Sequence, residues 1–99
     1  MNMKTTRLKC LSPEDKKELA TRLTRIEGQI GGIREMIERE ESCEQVAQQL
    51  AAAREALSKT FSDLMARTIE RTCLMNDGAD PAAVRAKLSE IVKILAKYS

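Results

Sequence analysis

From Ser42 to Met75 the sequence contains neither proline nor glycine. Within that stretch Val46, Leu50, Ala53, Leu57, Phe61 and Leu64 follow one another at three- and four-residue steps, and Thr68 is next in the row. This spacing is the apolar stripe of one amphipathic helix. Nothing breaks it before Asn76-Asp77-Gly78, so the pattern predicts a helix of about thirty residues, roughly 45 Å at 1.5 Å per residue. Such a helix is too long for a compact monomer of 99 residues. Packing antiparallel on a copy of itself is the expected solution.

Two further helices flank it. Ser12-Pro13-Glu14-Asp15 reads as a helix start, with Ser12 as N-cap, Pro13 in the first turn, and two acids at the positive end of the helix dipole. Leu19, Leu23, Ile26, Ile30, Ile33 and Ile37 then form one seam. Gly28, Gly31 and Gly32 lie inside it. Each costs up to about 1 kcal/mol against alanine, so another helix is expected to approach closely there. Ser42, with Gln45 three residues on, fits a capping box, which makes Cys43 the first residue of the long helix. Asp80-Pro81 opens the last helix, whose stripe is Val84, Leu88, Ile91 and Leu95, with Tyr98 at its end. Strand alternation and internal repeats are absent from the sequence. The fold class is all-α: a basic N-terminal arm over residues 1–11, then a three-helix domain over residues 12–99.

Composition adds weight to assembly. The aromatic residues are Phe61 and Tyr98 alone, too few to fill a core in so short a chain. Charge is unevenly spread. Residues 1–25 carry seven bases against three acids, while the rest of the chain carries ten against twelve. A basic first third is either an anion-binding face or a solvated helix face with a basic tail. No apolar run approaches the roughly 18 residues that span a membrane, and the N-terminus has no signal-peptide core. A cytoplasmic protein with no membrane partner is expected. The sequence has no histidine, so Ser-His and Cys-His catalysis and imidazole metal sites are excluded. No phosphate loop or nucleophile–base pair replaces them, and neither an enzyme nor a resident cofactor is expected.

Three cysteines, Cys10, Cys43 and Cys73, are an odd number for a disulfide framework. Cys43 and Cys73 stand at opposite ends of the long helix and cannot meet within one chain. In an antiparallel dimer, Cys43 of one chain comes near Cys73 of the other. Cys10, at the end of the arm, is able to reach such a site from a neighbour. For Cys43 the helix dipole favours the thiolate, whereas Glu40, Glu41 and Glu44 oppose it. Cys73 also reads as a small buried hydrophobe, and Cys10 as either a bystander or a reactive thiol.

The segment TRLTRIEGQIGGIREMIEREESCEQVAQQLAAAREAL resembles the copper-sensing operon repressor family, of the CsoR/RcnR/FrmR type. The resemblance covers residues 12–98 and rests most specifically on Arg22-Leu23-x-Arg25-Ile26-x-Gly28-Gln29, with a cysteine fourteen residues after Gln29. It implies an all-α homotetramer built from antiparallel dimers, which represses transcription until an inducer acts at inter-subunit sites. Cys43 matches the first sensing cysteine. The copper branch adds a histidine and a second cysteine on the partner's long helix, and those positions are Thr68 and Thr72 here. Neither suits Cu(I), which prefers thiolate or imidazole. Cys73 lies one residue further on, about 100° round the helix. If a metal binds at all, Cys43 and Cys73 are the ligands to consider, with Cys10 a conceivable third.

In the formaldehyde-sensing branch an N-terminal proline lies close to the neighbour's sensing cysteine. Alignment through Ser12-Pro13-Glu14 puts Cys10 at that proline's position. Two thiols facing one another suit bridging by oxidants or reactive sulfur, which is similar to the family's histidine-free persulfide-sensing branch. The resemblance further implies a basic face of Arg22, Arg25 and Lys59, with Lys16, Lys17 and Arg54 nearby, contacting phosphates of double-stranded operator DNA. The leading expectation is a repressor released by thiol chemistry at Cys43, with Cys10 or Cys73 as its partner. A thiophilic-metal sensor and a helical oligomerisation module without DNA binding are the alternatives. The operator and the inducer (reactive sulfur, formaldehyde or metal) stay open.

Overall fold

Helix α1 spans Pro13–Glu38, α2 Cys43–Met75 and α3 Pro81–Tyr98. The structure, a computed structural model, describes residues 11–75 and 80–99, with side chains at all of these except 73–75. Among the described residues there is no strand. Each helix begins where its capping chemistry predicts. The Ser12 hydroxyl accepts the Asp15 N–H at 3.0 Å, and the Ser42 hydroxyl accepts the Gln45 N–H at 3.1 Å. The Asp80 carboxylate accepts the Ala82 N–H at 3.2 Å ahead of Pro81 in the first turn of α3. In α2 the unbroken run delivers 33 helical residues. Its expected terminator, Asn76-Asp77-Gly78, lies outside the described residues.

The chain divides into two compact units, Lys17–Ser62 and the remainder. In the first, α1 turns through residues 39–42 into the opening half of α2, a helical hairpin. Leu19, Ile26 and Ile33 of α1 and Ala53 and Thr60 of α2 are buried. Seven-residue spacing on both helices is the signature of side chains interlocking along a shallow crossing.

The predicted single seam of α1 therefore splits in two. Leu23, Ile30 and Ile37, the residues between the buried ones, are 45%, 46% and 57% exposed. The same happens on α2, where Leu50 and Leu57 face solvent. The glycines also depart from expectation inside the protomer: a methyl group at Gly28, Gly31 or Gly32 would meet no atom within 4 Å. Among the described residues no helix of the same chain approaches them.

In the second unit Leu11, Asp15, Met65, Thr68, Thr72 and Ile91 are buried. Among the described residues Ile91, 2% exposed, is the most enclosed large side chain. The predicted α3 stripe is confirmed, since Val84, Leu88 and Leu95 are half-buried on either side of it. Tyr98 is exposed, with the Lys97 ammonium 5.3 Å from its ring centre. Leu11, on the arm side of the sequence boundary, is buried with the helices.

Threonines enter the buried rows because their hydroxyls are satisfied locally. Thr60 donates to the Ala56 carbonyl at 2.9 Å and Thr68 to the Leu64 carbonyl at 2.8 Å. A threonine bonded back to its own helix presents little more than its methyl group to a neighbour. Among the described residues no buried side-chain nitrogen or oxygen lacks a partner.

Candidate functional site

Cys43 is placed by two back-to-back capping motifs. At the end of α1, Glu40 adopts a left-handed backbone conformation, φ 58°. Its N–H donates to the Ile37 carbonyl and the Glu41 N–H to the Met36 carbonyl, both at 3.0 Å. This pair of bonds is a Schellman closure. Ser42 follows at once as N-cap of α2, its carbonyl accepting the Val46 N–H at 3.1 Å. Cys43 is thus the first helical residue and is exposed.

Backbone N–H groups of a first turn have no intrahelical acceptor, which gives a thiolate or its adduct donors close by. Acids surround it in sequence. Glu41 is engaged by Arg39 Nε at 3.3 Å, and Arg39 also lies 3.9 Å from Glu35. These contacts are solvent-exposed and contribute little to stability.

Of the other sensing candidates, Cys10 lies outside the described residues. Cys73 falls within α2, but its side chain lies outside them as well. Thr68 and Thr72, at the positions where the copper branch carries ligands, are buried. Among the described residues no cluster of three His, Cys, Asp or Glu side chains is arranged to hold a metal ion. The hydroxyls of Thr68 and Thr72 are poor donors for a soft metal.

The candidate phosphate-binding residues Lys16, Lys17, Arg22, Arg25, Arg54 and Lys59 are all exposed. Five of them, Lys17, Arg22, Arg25, Arg54 and Lys59, belong to the α1–α2 hairpin unit.

Sequence reasoning missed one cluster. Asp15, read as a first-turn acid, is buried and takes Arg67 at 2.6 Å and Arg71 at 2.8 Å. Arg67 also pairs with Asp63 at 3.0 Å. The four-residue spacing of Arg67 and Arg71 placed two cations on one helix face, and Ser12-x-x-Asp15 has the form of a capping box. Neither pattern revealed that the two features meet, since more than fifty residues separate them.

The profile of the metal-sensitive transcriptional repressor family matches residues 15–97. Among solved structures, the chain resembles a glutamate-to-histidine variant of the formaldehyde-responsive regulator FrmR from Salmonella enterica serovar Typhimurium. The two share 33% identity at a TM-score of 0.73, over 89% of this chain and 98% of that one. These matches support the repressor role and class the chain with transcriptional regulators, which are not enzymes. The protein belongs to the metal-sensitive transcriptional repressor family, of the CsoR/RcnR/FrmR type.

Proposed function

We propose that this repressor is a homotetramer that leaves its operator when Cys43 is modified or bridged by a thiol of another chain. The observation that carries the reading is the placement of Cys43, exposed at the first position of α2. It stands apart from the buried rows, at the positive end of the α2 dipole. Antiparallel pairing of α2 brings that position to the far end of the partner's helix, where Cys73 lies. Cys10 is the other thiol within reach and is the favoured partner. Persulfides, polysulfides or an electrophile such as formaldehyde are the inducers such a site suits.

A thiophilic metal is the second reading, favoured by the family's metal-sensitive character. Its ligands would be Cys43 and Cys73, with Cys10 as a third donor. The threonines at 68 and 72 weigh against it.

Operator-binding measurements under polysulfide, formaldehyde or Cu(I), with intact mass analysis of the products, separate the inducers. Cys43→Ser is expected to fold, to bind the operator as wild type does, and to stay bound under the inducer. If Cys43→Ser leaves the operator as readily as wild type, the thiol reading is lost.

The basic face is tested separately. Arg22→Ala and Lys59→Ala should each weaken DNA binding without unfolding the protein. Each should also reduce the slope of log affinity against log salt by about one unit. An unchanged slope with full affinity would remove these residues from the interface.

A further inference from the structure

The most basic of the three helices is α3. Over Pro81–Tyr98 it carries four bases, Arg85, Lys87, Lys93 and Lys97, against the single acid Glu90. Helix α1 carries five bases against six acids, and α2 four against four. The cationic excess of the helices therefore lies on α3, to which none of the six candidate phosphate-binding residues belongs.

These bases are not spread evenly round the helix. Arg85, Lys93 and Lys97 follow one another at steps of eight and four residues and share one row with Ser89. They stand about 12 and 6 Å apart along the axis. Every residue of the row is exposed, as are the short side chains of Ala82, Ala86 and Ala96 around it. Lys87, two residues beyond Arg85, lies about 200° round the helix. Among the described residues none of the three row bases is in an ion pair, and the Lys97 ammonium stands over the Tyr98 ring.

Two ordinary explanations fall short. The helix dipole accounts for a base in the last turn, which is Lys97 alone. Pairing along the helix needs acids, and α3 has only Glu90. A row of one sign on a packed helix is an anion-binding surface. The opposite face is already in use, with Ile91 buried and Val84, Leu88 and Leu95 half-buried, so it is not available to lie in a membrane surface. The large apolar side chains that α3 exposes are Val92 and Tyr98, too few for the core of a protein interface. A nucleic-acid backbone needs neither, only cations that reach successive phosphates.

We propose that the Arg85–Lys93–Lys97 row of α3 is a further phosphate-binding surface, which holds the backbone of double-stranded DNA without reading its sequence. The inference rests on the DNA-binding reading of the repressor and adds a surface outside α1 and α2.

The test is binding of the full chain to mixed-sequence duplex DNA over a series of salt concentrations. The triple variant Arg85→Ala, Lys93→Ala, Lys97→Ala should keep the helix content of wild type, because all three side chains are exposed. Each lost contact should lower the slope of log affinity against log salt by about one unit, and the triple variant should bind about a hundredfold more weakly near 0.1 M salt. Lys87→Ala removes the same charge from another side of the helix and should leave slope and affinity unchanged.

A triple variant with the wild-type slope overturns the proposal and leaves the DNA-binding reading standing. A Lys87→Ala protein that loses as much slope as Lys93→Ala also overturns it, since the effect then follows net charge and not the row. If the triple variant fails to fold, Lys93→Ala and Lys93→Arg decide: the first should lose about one unit of slope and the second none, and equal slopes overturn the proposal. Loss of poly-glutamate binding in the triple variant, with its DNA slope intact, would assign the row to an acidic protein and overturn the proposal as well. A wild type that binds no duplex at any salt would instead remove the DNA-binding reading, and the α3 surface with it.

Discussion

At Asp15 two opposed effects act on one carboxyl group. The hydrogen bond from Arg71, helped by donors from Ser12 and Arg67, holds it well below the usual carboxylate range, against the burial that pushes it up. Arg71 is correspondingly raised by its bond to Asp15. A carboxyl whose folded pKa is depressed binds protons more weakly in the folded chain than in the unfolded one. Its contribution to stability is then fully present above the ordinary carboxylate value near 4 and is lost as pH falls through the folded value. Thermal melts of wild type and Asp15→Asn should differ by a constant amount from pH 8 to 5, with the gap narrowing below about pH 4. A gap that holds its full size down to pH 2 would show that the cluster stabilises by packing and not by charge.

Among the elements, the turn from α1 into α2 has the least slack. Two helix ends, a Schellman closure and an N-cap follow one another over Arg39–Ser42, and Glu40 fills the position where glycine is usual. A left-handed conformation costs a residue with a Cβ roughly 1–2 kcal/mol, partly offset by the greater freedom that glycine has when unfolded. Glu40→Gly is therefore expected to stabilise the protein by up to about 1 kcal/mol, read as a higher denaturation midpoint at unchanged slope. A lower midpoint would mean that the Glu40 side chain makes interactions that outweigh the strain. This turn was legible from residues 42–46, where a capping serine precedes an apolar row. Glu40 was not, because its conformation is imposed by the two helices it joins.

For the whole molecule, the protomer leaves a second apolar face uncovered. Leu23, Ile30, Ile37, Leu50 and Leu57 of one unit are about half exposed. Fully burying such a side chain is worth about 1.5–3 kcal/mol, so several kcal/mol are unrealised in a lone chain. Exposed apolar rows of this extent mark interaction surfaces. Leu57→Lys should convert the proposed tetramer to smaller species in light scattering, with its helix content largely kept, and should abolish operator binding. A Leu57→Lys protein that stays tetrameric would place the interface elsewhere. Among the described residues, the open space around Gly28, Gly31 and Gly32 leaves room for the close approach of a second chain.

The sequence by itself determined the three helices, their caps, the all-α class and the family. These follow from local rules: a capping serine or aspartate, a proline in the first turn, and apolar steps of three and four. It also located Cys43 at the head of α2, since a cap position depends on its immediate neighbours alone. Only the tertiary structure decided which half of each apolar stripe is buried. Periodicity identifies an apolar side of a helix but not how many partners share it, so Leu19 and Leu23 read alike until α2 packs on one of them. Tertiary structure likewise decided that Thr60, Thr68 and Thr72 line the interior and that Asp15 reaches Arg67 and Arg71. A hydroxyl bonded to its own helix and a carboxylate closed on two distant arginines are both polar in sequence. They become buried only when the packed chain supplies their partners.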